Sequence, residues 1–101
     1  MANNKVEYIG EQVMANWAKR RQFIEAMTPA WTREGAELRK MREGLKISRA
    51  ELSKHTKVST SVYARLEKGQ PIKRREAVVQ TFKTMLRCIP LMRKQDAGLV
   101  K

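Results

Sequence analysis

The residues of this chain best equipped for chemistry are its cations. Lys and Arg number 22 against 10 Asp and Glu, a net charge of +12 over 101 residues. They are unevenly spread. Residues 1–30 hold four basic and three acidic side chains, residues 31–70 ten and five, and residues 71–101 eight and two. Such an excess suits binding of a polyanion, by Coulomb attraction and counterion release, better than it suits catalysis. The groups that would catalyse are sparse. His55 is the one histidine and Cys88 the one cysteine. They offer no metal-ligand spacing and no intrachain disulfide, which fits a reducing cytoplasm. There is no Gly-rich phosphate loop, and no His–acid pair stands out to activate a serine. The expectation is no enzyme, with no catalytic residue, metal or cofactor. No run reaches the roughly 18 apolar residues of a membrane span, so no membrane partner is expected.

Capping residues and apolar spacing give five helices to hold these cations. Asn4 caps the first, with Glu7 three residues on, and it spans 5–27. Val6, Ile9, Val13, Trp17, Ile24 and Met27 recur at three- and four-residue spacing, Arg20 breaks the stripe once, and Phe23 widens it. Thr28-Pro29 is the expected stop, since the residue before proline leaves the α region. The second helix runs from Thr32 or Arg33 to Glu43, with Leu38 and Met41 inward and Gly44 ending it. Ser48-Arg49-Ala50-Glu51 is a capping box that opens the third, to about His55, anchored by Leu52. A turn at Thr56-Lys57-Val58 follows. Ser59 then caps the fourth through Lys68, with Val62, Tyr63 and Leu66 apolar and Gly69 as stop. Gln70-Pro71-Ile72 leads to the fifth, from about Lys73 to Cys88, where Val78, Val79, Phe82, Met85 and Leu86 share a face and Pro90 sets the limit. The expected division is a helical extension over 1–31, a domain over 32–90 and a frayed tail over 91–101.

Two short capped helices around a tight turn, the third and fourth, have the size of a helix-turn-helix, which sets its second helix in the DNA major groove. Residues 35–86 resemble the Cro/C1-type (XRE family) helix-turn-helix domain of phage repressors and bacterial regulators. Leu38, Arg42, Leu45, Ser48, Glu51, Leu52, Val58, Ser59, Ser61, Arg65, Leu66, Glu67 and Gly69 carry the likeness, in the family's order and spacing. The fold it implies is all-α: a lambda-repressor-like helix-turn-helix bundle with an added long N-terminal helix.

The resemblance also implies roles. Thr60, Ser61 and Arg65 fall where a recognition helix meets base edges. Arg49, Ser59, Lys68, Lys73, Arg74 and Arg75 fall at phosphate-contacting positions. Arg42 and Glu67 take the places of a partly buried ion pair. The chemistry agrees: arginine donates two hydrogen bonds to guanine, and Ser and Thr hydroxyls pair with several bases. Three departures stand out. Lys57 occupies a turn position usually held by Gly, and in a left-handed conformation it would cost on the order of 1 kcal/mol. Thr56 is less apolar than usual, and the first 34 residues have no counterpart in the minimal domain.

The reading is a sequence-specific, double-stranded DNA-binding transcriptional regulator. It is expected to be a homodimeric repressor of a phage, plasmid or other mobile element, acting at the nucleoid on a two-half-site operator. Its dimer is expected to form through Val6, Ile9, Val13, Trp17, Phe23 and Ile24. The alternatives are an antitoxin that grips a toxin through the N-terminal helix and autoregulates its promoter, or a non-specific nucleic-acid-binding protein.

Overall fold

The computed structural model describes the backbone of residues 2–100 and the side chains of residues 16–96. Over the described residues the chain is all-α, without strands. Its elements are α1 (Ala2–Gly44), α2 (Arg49–Lys54), α3 (Thr60–Lys68) and α4 (Arg75–Val100). The molecule measures 78 × 27 × 16 Å. Its long axis reflects α1, which at 1.5 Å per residue extends about 65 Å.

The two expected N-terminal helices are one. Pro29 lies inside α1, where it removes a backbone bond to the Glu25 carbonyl at a cost of about 3 kcal/mol. Glu25 and Pro29 are both exposed, so water can serve that carbonyl. The Thr28 hydroxyl donates to the Ile24 carbonyl at 2.6 Å, one turn back. Asn4 and Glu7, the expected cap of the first helix, lie outside the residues whose side chains are described.

The second correction is at the other end. Pro90 falls within α4, and the expected frayed tail continues as helix. Contacts on both sides of the proline hold it there. Ile89 is buried and Met92 packs on the core. Arg93 donates to the carbonyls of Leu45 and Lys46, both at 3.1 Å, and to Glu51 at 2.6 Å. The start of α4 also shifts, because Lys73 and Arg74 form a turn before it.

Two turn conformations depart from expectation. Gly44 is the last residue of α1, but the left-handed residue that closes it is Lys46, at φ 57°. Ile47 N–H returns to the Arg42 carbonyl at 3.2 Å and Lys46 N–H to Glu43 at 3.0 Å, the pairing of a Schellman end. Lys57 does not adopt positive φ, so the glycine-like strain considered for it does not arise.

The core forms where α1, α2, α3 and α4 meet. Leu38, Leu52, Tyr63, Leu66 and Phe82 are buried, each worth about 1.5–3 kcal/mol relative to exposure. Tyr63 and Phe82 meet edge to face with centroids 5.8 Å apart. Met41, expected inward, is exposed. It sits a turn past Leu38 on the flank of α1 that α3 does not cover.

Two glycines allow α1 and α3 to touch backbone to backbone. A Cβ on Gly35 would lie 2.4 Å from the Leu66 carbonyl oxygen and 2.5 Å from that of Glu67. Gly69, at φ 75°, ends α3 and lies against Thr32, whose Cα would be 2.5 Å from an added Cβ. Neither obstacle is a flexible side chain. Gly35→Ala should therefore destabilise by about 3 kcal/mol despite alanine's better helix propensity, because the α1–α3 seam must open. A thermal melt of the variant reads this directly, and a melt at or above that of the parent would contradict the close approach.

Candidate nucleic-acid interface

The site is built on α3. Ser59 has extended backbone (φ −74°, ψ 158°) and its Oγ accepts from Val62 N–H at 3.3 Å, which fixes where the helix begins. The helical period then sorts the residues. Tyr63, Leu66 and Glu67 are buried, while Thr60, Ser61, Arg65 and Lys68 are exposed. Ser61, Arg65 and Lys68 share the face opposite the core, at spacings of four and three. Gly69 N–H bonds to Leu66 at 3.1 Å and Gln70 N–H to Arg65 at 2.9 Å, a Schellman end that terminates α3 just past Lys68.

Glu67 pins the hidden side of α3. Its Oε2 accepts from Arg42 Nε at 2.7 Å, and its Oε1 from Arg42 Nη2 at 3.0 Å and Arg49 Nε at 3.1 Å. Arg42 Nη1 donates to the Ile47 carbonyl at 2.8 Å. The ion pair suggested by resemblance is present and deeply buried, with Arg42 at 8% and Glu67 at 5% exposure. Arg49, assigned above to phosphate, is in this structure the pair's third member, with 33% of its side chain exposed. One carboxylate thus joins the end of α1, the first residue of α2 and the last turn of α3.

The turn between α2 and α3 is held by the residue that departed from the family pattern. Thr56 Oγ1 donates to the Leu52 carbonyl at 2.9 Å, so the Tyr63 hydroxyl, 2.9 Å away, donates to it. Val58 N–H also donates to Oγ1, at 3.3 Å. An apolar residue at 56 would leave the buried Tyr63 hydroxyl without this partner. Burial raises the Tyr63 hydroxyl above its ordinary pKa, and the bond to Thr56 acts in the opposite sense. At Ser48 only half of the capping box forms. Ser48 Oγ accepts from Glu51 N–H at 3.0 Å, while the Glu51 carboxylate takes Arg93.

The remaining cations divide into two groups. Lys73 and Arg74 are exposed in the turn after α3, and Arg74 is left-handed at φ 53°, a conformation costing a non-glycine residue on the order of 1 kcal/mol. Its carbonyl accepts Val78 N–H at 3.0 Å, starting α4. Lys57, Ser59, Lys73 and Arg74 surround one depression with Val58 and Val62 between them. Among the described residues no ion pair involves Arg65, Lys68, Lys73 or Arg74. Arg75 belongs elsewhere. Its Nη2 donates to the Trp31 carbonyl at 3.2 Å and Glu34 at 3.0 Å, and its guanidinium lies 5.2 Å from the Trp31 ring centroid. Held by α1 through Nη2 and with 10% of its side chain exposed, Arg75 ties α4 to α1 and stands apart from the exposed basic turn.

Of the expected dimer residues, Trp17 and Phe23 are exposed and Ile24 is half-buried. Phe23 also meets Trp31 edge to face at 6.0 Å. Val6, Ile9 and Val13 lie outside the residues whose side chains are described. Sequence reasoning missed Lys57 as a neighbour of the basic turn and Arg93 as a clamp on the α1–α2 turn. No local pattern marks Arg93, since its partners are more than 40 residues away.

A short helix, capped at its start and pinned from behind, with hydroxyl and cationic groups outward and a second short helix before it, defines a helix-turn-helix protein. The family model described as "Helix-turn-helix domain" matches residues 35–87, and the chain belongs to that family. It is a DNA-binding regulator by that membership. No curated protein and no solved structure matches the chain. Among the described residues, no helix is long and apolar enough to cross a membrane.

Glu67→Ala should lower stability by about 3 kcal/mol, because Arg42 would be left buried with only the exposed Glu43 carboxylate, 3.9 Å away, as an acidic neighbour. In a domain of this size that is a fall of more than about 10 °C in Tm. A melt equal to the parent's would show that the ion pair is absent in solution.

Proposed function

We propose that this chain is a homodimeric, sequence-specific double-stranded DNA-binding transcriptional repressor of the Cro/C1 type, cytoplasmic, serving a phage, plasmid or other mobile element. The observation that carries the reading is the outward face of α3. Ser61, Arg65 and Lys68 are exposed on one side of a helix whose other side is buried, and among the described residues no acidic partner occupies the cations. A face of this kind suits the major groove. Arg65 can place two N–H donors on guanine O6 and N7, and Thr60 and Ser61 can hydrogen-bond or pack on a thymine methyl. Ser59, Lys68, Lys73 and Arg74 flank that face and are suited to phosphates, which set the register but not the sequence preference. Arg49 contributes charge at the start of α2 with the part of its side chain that Glu67 leaves free.

Dimerisation through α1 is supported by Trp17 and Phe23, large apolar side chains on an exposed helix surface of the kind that anchors interfaces. A second, twofold-related copy of α3 would then face a half-site about one helical turn away. The same exposed aromatics favour a second reading, an antitoxin that holds its toxin on α1 and represses its own promoter. Co-purification of a distinct protein partner on α1 separates the two.

Duplex affinity should fall steeply with salt, by about 0.9 in log–log slope for each phosphate neutralised. Arg65→Ala should cost about 1–3 kcal/mol at the preferred site and relax discrimination at one base pair, whereas Lys73→Ala should weaken all duplexes alike. Fluorescence anisotropy on specific and scrambled duplexes measures both. A parent protein insensitive to salt, or an Arg65→Ala protein with unchanged preference, would overturn the assignment.

A further inference from the structure

The stripe of α1 that carries Trp17, Ile24 and Trp31 is interrupted by a charged residue, Arg20. At 3.6 residues per turn these positions share the side of α1 on which Leu38 and Arg42 are buried. That side meets α3 at Gly35 and Arg42, and Arg20 reaches the recognition helix from it. It lines a depression of about 420 Å³ together with Val62, Arg65, Pro71, Ile72 and Lys73. Three cations from three separate parts of the chain thus border one concavity: Arg20 from α1, Arg65 from α3 and Lys73 from the turn before α4. No acidic residue lines it, and among the described residues none of the three takes part in an ion pair. Val62, Pro71 and Ile72 give it an apolar floor, which weakens solvent screening of the charges above. An apolar residue at position 20 would have continued the stripe. An arginine there places like charges together, an arrangement that favours an anion between them.

We propose that Arg20 is a DNA backbone contact, binding a phosphate at the edge of the groove that α3 enters, so that the N-terminal extension forms part of the DNA interface. The inference rests on the reading of α3 as the recognition helix. Arg20 supplies no base preference. It adds a charge-assisted contact on the side of α3 where α1 passes, beside the Lys57–Ser59 depression, with Val62 and Lys73 bordering both.

The test uses the full chain, with Arg20→Gln and Arg20→Lys beside the parent. Anisotropy is read on the preferred and a scrambled duplex across a salt series, and sedimentation reads the oligomeric state. Arg20→Gln should weaken both duplexes by about tenfold and lower the salt slope by about 0.9, with oligomeric state unchanged. Arg20→Lys should keep the slope. Arg20→Gln with parental affinity and slope would overturn the contact while leaving the role of α3 intact, provided Arg65→Ala still alters preference. A loss of affinity that tracks dissociation of a dimer would assign Arg20 to assembly and overturn the contact too. A parent that binds neither duplex in a salt-dependent way would remove the reading of α3 and this inference with it.

Discussion

The Glu67 carboxylate, held between the guanidinium groups of Arg42 and Arg49, is the interaction on which the rest of this small protein depends. Desolvating an acid and a base this deeply consumes much of their Coulomb attraction, so net stability is not the main consequence. Geometry is. The carboxylate joins three helices at one point, and its position on α3 fixes which way that helix faces. Ser61, Arg65 and Lys68 face outward because Glu67, with Tyr63 and Leu66, is fixed inward. Arg42 reinforces this by bonding the Ile47 carbonyl, which sets the path from α1 into α2.

Close backbone packing makes the pair possible. Gly35 lies one turn before Leu38 on the buried side of α1 and brings that helix against the carbonyls of Leu66 and Glu67. Gly69 repeats the contact at the end of α3, against Thr32. With α1 this near, an arginine at 42 reaches a glutamate at 67 without an intervening layer. The α3–α4 turn is set from the same helix, because Arg75 bonds Trp31 and Glu34. Lys73 and Arg74 are left on the outer side, with Arg74 in a left-handed conformation that tight reversal imposes.

What could be read from the sequence was local or shared with a family. Ser48 and Ser59 are caps and Gly69 is a left-handed stop, because each acts within four residues of itself. Tyr63 and Phe82 are core by periodicity. The partnership of Arg42 and Glu67 came from resemblance, since nothing in spacing alone pairs residues 25 apart. The failures share one cause, tertiary contact outweighing local preference. Pro29 and Pro90 did not end their helices, because packing continues past both: Trp31 and Glu34 after one, Met92 and Arg93 after the other. Lys46, and not Gly44, takes the left-handed role at the end of α1, in a turn whose carbonyls Arg93 holds. Arg75 looked like the third member of a basic run but turned toward Trp31. Arg20 looked like a flaw in a dimer stripe and stands beside the recognition helix.

In the function proposed above, α3 reads a base sequence, and two copies do so in a fixed relation. Selection of duplexes from a random pool by the full chain is the decisive measurement. The predicted result is an enriched motif of two related half-sites with twofold symmetry, their centres about 10 base pairs apart or a multiple of that. Enrichment of no sequence above the starting pool, although the protein retains duplex, would contradict it and leave a protein that binds DNA by charge alone.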